Sequence, residues 1–200
     1  MKNIITVEKL SFSYGKKEIL NGVNFSLDGG SAAAIIGENG SGKSTLLACL
    51  ASIVRPSGGK VSVNGKIAYV PQEISLVEEL SYNDNLKYFA SLASCKVPKT
   101  LPFDTDKYRK IRISRMSGGM KKLCSICCAV IADADIYMFD EPCAALDKEH
   151  RAVFKEYVCN LVKNGKTVLY VAHNEDEYSS FADTVIHVDT SGVTQSKYQR

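Results

Sequence analysis

The sequence predicts an α/β fold with a mostly parallel sheet, an antiparallel β-subdomain and a small α-helical subdomain. Over the first thirty residues, apolar and polar side chains alternate in the manner of strands. A glycine-rich turn at 37–45 then separates a strand-like run at 32–36 from a helix-like run. Beyond residue 117, short apolar strands alternate with helices, which is typical of parallel strands buried on both faces.

Length, composition and charge exclude several classes of protein. Two hundred residues, 45% of them hydrophobic and 24% charged, suit one soluble domain. The net charge is only +3 and the lysines are scattered, so we expect no nucleic-acid partner. The longest apolar run, at 123–132, is half of the roughly 20 residues that a membrane-spanning helix needs. No signal peptide is visible, because the first apolar stretch carries Glu8 and Lys9. We therefore expect a cytoplasmic chain that does not itself cross a bilayer.

The seven cysteines lie mostly within apolar runs and indicate a reduced compartment. Five of them are interpreted as small core residues: Cys49, Cys124, Cys127, Cys128 and Cys159. The spacing of Cys124 and Cys127 also fits a metal or redox pair. However, no second pair and no nearby histidine complete a four-ligand zinc set.

The first seventy residues predict strands joined by glycine turns. Gly15 marks a turn between the first two strands, and Gly29-Gly30 marks the next turn. Asn64-Gly65 stands between the apolar runs 61–63 and 67–70. This arrangement predicts a β-hairpin, because Asn-Gly favours the tight turns of hairpins.

The rest of the chain predicts helices between short strands. Residues 81–94 predict a helix with Ser81 as its N-cap, and a polar stretch with two prolines follows at 95–112. Further helices are predicted at 118–132 and 148–163. Strands are predicted at 136–139, 168–171, 184–188 and 193–197.

The turn after the strand at 32–36 carries the pattern G-x-x-x-x-G-K-S, which is the phosphate-binding P-loop. Its backbone N–H groups can wrap a polyphosphate, and the positive end of the following helix attracts the same anion. Lys43 is expected to reach the β- and γ-phosphates, and Ser44 is expected to bind Mg²⁺. The predicted ATP-binding residues of the loop are Gly37, Glu38, Asn39, Gly40, Ser41, Gly42, Lys43, Ser44 and Thr45.

A second, acidic motif completes the predicted nucleotide site. The apolar residues 136–139 run directly into Asp140 and Glu141, which is the Walker B pattern. Asp140, at the end of the strand, is expected to hold Mg²⁺ directly or through water. Glu141 projects differently and can polarise the water that attacks the γ-phosphate.

Ser117, Gly118 and Gly119 begin the helix that leads to this strand. Exposed N–H groups, a hydroxyl group and the positive end of the helix together form a second candidate anion site. Two anion sites on one chain, each suited to a triphosphate, indicate that one ATP is shared between two subunits.

These motifs resemble those of the nucleotide-binding subunit of an ATP-binding cassette (ABC) transporter. The P-loop, the signature at 116–120, Walker B at 136–141 and the loop Ala144-Ala145-Leu146-Asp147 occur in the family's order. Three single residues also match: Gln72 after Tyr-Val-Pro matches the Q-loop, His173 the switch histidine, and Tyr14 the aromatic residue that stacks on adenine. The resemblance covers essentially the whole chain.

The resemblance implies a P-loop NTPase with a RecA-like core, arranged as a single ABC ATPase domain over 1–200. Residues 1–73 and 117–200 would form the β-subdomain and the core, and 74–116 a compact helical subdomain. Met120 followed by two lysines, together with the segment 80–86, resembles small stand-alone export-type cassettes of the ABC-2-like kind.

The resemblance further implies that two subunits bind head to tail and form a homodimer or a heterodimer. Each ATP then lies between the P-loop of one subunit and the signature residues of the other, namely Ser117, Gly118, Gly119 and Met120. Asp147 communicates across the dimer. ATP binding closes the dimer and hydrolysis opens it, which drives a separate transmembrane permease subunit on the inner face of the cell membrane.

Within one site, the resemblance implies that Glu141 is the catalytic base and that His173 contacts the γ-phosphate and holds Glu141 in place. Gln72 contacts Mg²⁺ or the attacking water and senses the membrane partner. Tyr14 stacks on adenine, although packing at the edge of the sheet is an alternative. The sequence departs from the family at Met116 and Met120, which flank the signature, and at Cys143, where Thr or Ser is usual.

The function that the resemblance implies is ATP hydrolysis that powers transport, with export as the direction. A soluble ABC ATPase that assembles or remodels a protein complex shares every motif and stays an alternative. A nucleotide sensor with little turnover is disfavoured by intact Glu141 and His173. Four apolar residues after the Q-loop are candidates for a docking groove for the membrane partner: Leu76, Leu80, Tyr82 and Leu86. The alternative is that they form the helical subdomain's own core, and we favour this alternative for Leu86.

Overall fold

The computed structural model describes residues 3–189 and 192–198, whose strands form two sheets. The smaller sheet is antiparallel and has the strand order β2-β1-β4. Its strands are β1 (Asn3–Tyr14), β2 (Lys17–Asp28) and β4 (Gly58–Val63). Gly15 lies between β1 and β2 with φ 60°, which confirms the predicted turn at this glycine.

The larger sheet has six strands in the order β5-β6-β7-β3-β8-β9. All neighbouring strands are parallel except β9, which pairs with β8 in the antiparallel sense at one edge. The strands are β3 (Ala32–Ile36), β5 (Ile67–Val70), β6 (Ile136–Asp140), β7 (Thr167–Val171), β8 (Thr184–Asp189) and β9 (Gly192–Lys197). This sheet confirms the predicted mostly parallel core. Its strand order brings the carboxyl ends of β6, β7 and β3 side by side.

The hairpin predicted at residues 61–70 is wrong. β4 pairs with β1 in the small sheet, whereas β5 pairs with β6 in the large one. Asn64 does not have the positive φ that a tight Asn-Gly hairpin turn requires. Instead, the backbone N–H of Lys66 donates to Asp135 Oδ2 at 2.8 Å, and this contact directs the chain toward β6.

The described residues form four α-helices: α1 (Lys43–Leu50), α2 (Tyr82–Leu92), α3 (Gly118–Ala129) and α4 (Lys148–Lys163). Ser81 is the predicted N-cap of α2, and its Oγ accepts from the Asp84 N–H at 3.2 Å. The predicted bounds of α4 are confirmed, whereas α3 ends at Ala129 rather than at 132. α1 ends before Ile53, which is 59% exposed.

Two hydrophobic cores lie on opposite faces of the large sheet. Successive residues of β3 alternate between them: Ala33 and Ile35 pack toward the small sheet and α1, and Ala32 and Ala34 pack toward α2, α3 and α4. The P-loop side of the molecule is therefore supported by one core and the signature side by the other.

Residues 74–116 contain α2 and two short 3₁₀ turns, at Asp106–Tyr108 and Ile113–Arg115. Tyr82 and Leu86 are completely buried, and the hydroxyl groups of Tyr82 and Thr105 are 2.8 Å apart. Tyr82 therefore belongs to the core, which corrects its candidacy for a docking groove. The preference for Leu86 as a core residue is confirmed.

The cysteine side chains pack mainly in the core. Cys49, Cys124, Cys127 and Cys128 are buried, and the Cys159 Sγ lies 3.5 Å from the Ser180 Oγ. Burial raises the pKa of the Cys124 thiol to about 12, so it remains protonated at neutral pH. A protonated thiol is neither a good metal ligand nor a good nucleophile.

Within residues 3–189 and 192–198, none of the helices combines the length and the apolar character required to span a membrane.

Candidate functional site

The P-loop connects β3 to α1 and borders a cleft of about 300 Å³. The cleft is lined by Ile19, Asn39, Gly40, Gly42, Lys43, Ser44, Thr45, Gln72, Glu141 and His173. The residues of the P-loop thus face side chains that arrive from the ends of three other strands. Strands that run parallel end at the same edge of the sheet, which explains this convergence.

The P-loop passes close to the backbone of β8, which requires glycine at the first position of the loop. Gly37 has φ 149°, and a Cβ atom built on it would lie 2.0 Å from the carbonyl oxygen of Val188. Any other residue would collide with the backbone of β8. The chain can therefore turn sharply at the end of β3 and present its N–H groups to the cleft.

Two polar side chains show that the loop suits a polyphosphate. Lys43 is only 4% exposed, and its Nζ donates to the carbonyl oxygens of Gly37 and Glu38, both at 2.9 Å. The Ser41 Oγ is buried without a hydrogen-bond partner among the described residues. Buried hydroxyl groups normally have partners, so this one indicates that the loop is shaped for an acceptor from a ligand.

Ser44 and Asp140 bring two oxygen ligands together at the floor of the cleft. Ser44 Oγ donates to Asp140 Oδ1 at 3.0 Å, and the Tyr69 hydroxyl donates to Oδ2 at 3.4 Å. Burial raises the pKa of Asp140, and the hydrogen bond from Ser44 opposes that shift. A hydroxyl group and a carboxylate are hard oxygen ligands of the kind that Mg²⁺ prefers. The residues therefore fit a magnesium ion.

Glu141 lies between Gln72 and His173. Its Oε2 accepts from Gln72 Nε2 at 2.9 Å and lies 2.9 Å from His173 Nε2. Glu141 follows β6 with φ 46°, a left-handed conformation that a residue of this kind adopts only under constraint. That conformation turns Glu141 into the cleft while Asp140 remains on the strand. The structure thus brings the three predicted residues into direct contact.

Lys122 is a charged residue of this region that the sequence did not reveal. It lies on α3 and is 2% exposed, and its Nζ donates to the carbonyl oxygens of Pro71 and Gln72. Burial lowers the pKa of its ammonium group, while Asp140, Cys143 and Glu141 act in the opposite sense. Its neighbour Lys121 has the same residue type and contacts Glu78 at the surface, so the sequence offered no signal to distinguish them.

The signature residues and Asp147 lie outside this cleft. The Ser117 Oγ caps α3 by accepting from the Met120 N–H at 3.3 Å, and Ser117 and Gly118 face solvent. Asp147 caps α4 by accepting from the His150 N–H at 2.9 Å, a bond that lowers the pKa of Asp147. Neither set is among the residues that line the cleft beside the P-loop of the same chain.

Tyr14 also lies away from the lining of the cleft. Its ring is 58% exposed and makes an edge contact with Phe12 at a centroid distance of 4.8 Å. Ile19 of β2 lines the cleft instead, and the sequence analysis did not select it. Stacking of Tyr14 on adenine therefore stays a prediction.

The fold and the cleft define a class of protein. A P-loop between a central parallel strand and a helix, opposite an acidic pair at the end of a neighbouring strand, is the nucleotide site of a P-loop nucleoside triphosphatase.

Comparison with known proteins places the chain within this class. A family model described as ABC transporter matches residues 20–144, which is more than half of the chain. The chain therefore belongs to the ABC transporter family and is an ATPase of that type.

Three relatives are each 31% identical to the chain. An uncharacterised ABC transporter ATP-binding protein of Methanocaldococcus jannaschii aligns with 93% of this chain and 74% of its own length. Nod factor export ATP-binding protein I of Paraburkholderia xenovorans aligns with 86% of the chain and 64% of itself. The high-affinity zinc uptake system ATP-binding protein ZnuC of Bacillus subtilis aligns with 94% and 91%. Relatives at this level of identity thus include both an export and an uptake protein.

A solved structure of the ATP-binding subunit of an ABC transporter has the same fold. It superposes with a TM-score of 0.89 at 25% identity, covering 97% of this chain and 90% of the other.

Proposed function

We propose that this chain is the ATP-hydrolysing subunit that powers substrate translocation, in the direction of export, by a separate transmembrane subunit. The observation that carries the proposal is the contact of Glu141 with both Gln72 and His173 beside the P-loop. A carboxylate held between an amide and an imidazole is suited to orient water and accept its proton.

The polyphosphate of ATP binds to the N–H groups of residues 37–45, and Lys43 turns from the loop carbonyls to the β- and γ-phosphates. Ser44, Asp140 and Gln72 would hold Mg²⁺, which supplies charge neutralisation on the phosphates when it is bound. The site's own contribution is a rigid cradle, because Gly37 fixes the turn and Ser44 is already positioned by Asp140.

The Glu141 carboxylate accepts a proton from the water that attacks the γ-phosphorus. The new P–O bond forms as the bond to the ADP oxygen breaks, which yields ADP and inorganic phosphate. His173 contacts the γ-phosphate and keeps Glu141 in place, and Gln72 orients the water. His173 and Gln72 both already contact the Glu141 carboxylate in the described chain.

The complete site requires a second nucleotide-binding subunit. Ser117, Gly118 and Gly119 lie at the start of α3, where Ser117 and Gly118 face solvent, so the N–H groups of this first turn are open to the γ-phosphate held by a head-to-tail partner. Met120 completes that signature, and Asp147 contacts the same partner. The ATP-bound state is therefore a dimer, whether of two identical or two different subunits.

The membrane partner docks on the α2 side of the molecule. Ile74, Tyr88 and Leu92 are large apolar residues that are 37%, 47% and 66% exposed. With the half-buried Leu76 and Leu80, they offer apolar surface near the segment that follows Gln72. Docking there would hold the chain on the cytoplasmic face of the cell membrane. The export direction rests on the likeness of Met120 and the segment 80–86 to export-type cassettes.

Affinity purification from gently solubilised native membranes tests this function. Tagged Glu141→Gln protein is expected to retain ATP and to co-purify with a polytopic membrane protein in stoichiometric yield when Mg-ATP is present. Lys43→Ala, which should not bind ATP, is the control for nucleotide dependence. Recovery of soluble partners alone, with the protein absent from membranes, would support the assembly ATPase instead.

A further inference from the structure

Lys122 is a buried cation that no step above uses. It lies on the first turn and a half of α3, and the only other buried lysine in the described part of the chain is Lys43 of the P-loop. Removing an ammonium group from water costs several kcal/mol unless its N–H groups find acceptors. A buried lysine close to a reacting centre therefore calls for a specific role.

The acceptors of Lys122 are backbone oxygens of the segment that carries Gln72. Nζ donates to the Pro71 carbonyl at 3.2 Å and to the Gln72 carbonyl at 3.0 Å. Both residues follow Val70, the last residue of β5, so the ammonium group holds the chain where the strand ends. Hydrogen bonds from a charged donor are about twice as strong as neutral ones.

The segment that Lys122 holds in turn contacts Glu141. The Gln72 side chain donates from Nε2 to Glu141 Oε2 at 2.9 Å, although Gln72 is otherwise exposed. At its other end, Lys122 belongs to the helix that Ser117 caps. One unbroken series of contacts therefore runs from the helix of the signature residues, through Lys122 and the Gln72 backbone, to the carboxylate of Glu141.

We propose that Lys122 is a positioning residue for ATP hydrolysis, which ties α3 to the backbone of Gln72 and so places the Gln72 side chain against Glu141. A displacement of α3 then moves Gln72 relative to Glu141. This inference rests on the proposed role of Glu141 as the base. Lys122 does not touch the P-loop, which holds the polyphosphate, so we expect its loss to slow the chemical step much more than it weakens the binding of ATP.

A double-mutant cycle on ATP hydrolysis tests this positioning role. Lys122→Met keeps the length and apolar stem of the side chain but removes its donors. We expect kcat to fall about 10- to 100-fold, because small displacements of catalytic groups cost that much, while KM for ATP stays within about 2-fold. Gln72→Ala should have a similar effect. The double variant should then be no slower than the slower single variant, because both act through one contact.

Lys121→Met is the matched control, because this neighbouring lysine contacts Glu78 rather than the Gln72 segment. Its kcat should equal that of the wild type. Lys122→Gln retains a donor and should recover part of the lost rate. It also serves as the test variant if Lys122→Met does not fold.

Wild-type kcat in Lys122→Met or Lys122→Gln would overturn the inference. So would a double variant whose rate falls by the product of the two single effects, which is the result expected if Lys122 only stabilises the fold. Glu141→Gln, assayed in parallel, distinguishes the two proposals. Full turnover in that variant would refute the role of Glu141 itself, whatever Lys122 does.

Discussion

At the scale of single residues, Asp140 presents a conflict between the stability of the fold and its function. Its carboxylate is 1% exposed and receives hydrogen bonds from Ser44 and Tyr69, yet burial raises its pKa above the ordinary value of 3.8. A raised pKa means that ionisation costs more in the folded than in the unfolded state. The free energy of unfolding therefore falls as the pH rises from 3.8 through the raised pKa of the folded state. Under the proposed function, the buried charge is retained because it serves as a ligand for magnesium.

We predict that Asp140→Asn raises Tm of the nucleotide-free protein at pH 7 and removes the further stabilisation by Mg-ATP. For a chain of this size, each kcal/mol gained adds about 2–4 °C. The advantage should vanish as the pH falls below 3.8, where the wild-type carboxyl is protonated in both states. Thermal scans across this pH range measure the effect, with the exposed Asp104→Asn as the control. A Tm for Asp140→Asn below that of the wild type at pH 7 would show that burial of the charged carboxylate does not destabilise the fold.

At the scale of elements, the small sheet depends on a close approach between β1 and β4. Lys9 has φ 50° at an irregularity in the pairing of these strands. A Cβ atom on Gly59, whose φ is 82°, would lie 2.2 Å from the Lys9 carbonyl oxygen. The two backbones are therefore packed more closely than any side chain permits.

We predict that Gly59→Ala destabilises the protein far more than Gly15→Ala does. Both glycines have positive φ, but a Cβ atom on Gly15 would meet nothing within 4 Å. Gly15→Ala should cost only the strain of the left-handed conformation, about 1–2 kcal/mol. Gly59→Ala adds a clash between the strands, so its urea midpoint should be clearly lower. Equal midpoints for the two variants would contradict the close approach.

Local patterns predicted the elements of this protein better than they predicted how the elements pair. Helix α4 was predicted with its bounds, because its apolar spacing is a local signal. The hairpin at 61–70 failed, since the partners of its two strands are β1 and β6, distant in sequence. The burial of Lys122 was equally invisible, because it depends on how α3 packs against the end of β5.

At the scale of the whole molecule, the P-loop and the signature residues lie at different places on the surface. The P-loop borders its own cleft, whereas Ser117 and Gly118 face solvent beyond it. Under the proposed function, a single chain therefore has the catalytic carboxylate beside its P-loop but no signature residues in the same cleft. This separation explains why we expect activity to depend on dimerisation.

We predict that Gly118→Asp folds normally but prevents the ATP-dependent dimer. A Cβ atom at Gly118 meets nothing within 4 Å, and an acidic residue in the first turn of α3 stabilises a helix. The same charge repels the γ-phosphate that the partner presents. Sedimentation with Mg-ATP in the Glu141→Gln background should show a monomer for Gly118→Asp and a dimer for Gly118→Ala. A dimer in both would exclude the signature from the interface.

The most direct test of the proposed function compares ATP turnover and ATP binding in wild-type, Glu141→Gln and Lys43→Ala proteins. We expect Glu141→Gln to lose about 10²–10⁴-fold in kcat, the usual contribution of a general base, while it retains ATP-dependent thermal stabilisation. Lys43→Ala should lose that stabilisation, which amounts to about 2.7 kcal/mol for wild type at a hundredfold excess over Kd. Near-normal turnover in Glu141→Gln would contradict the assignment of Glu141 as the base.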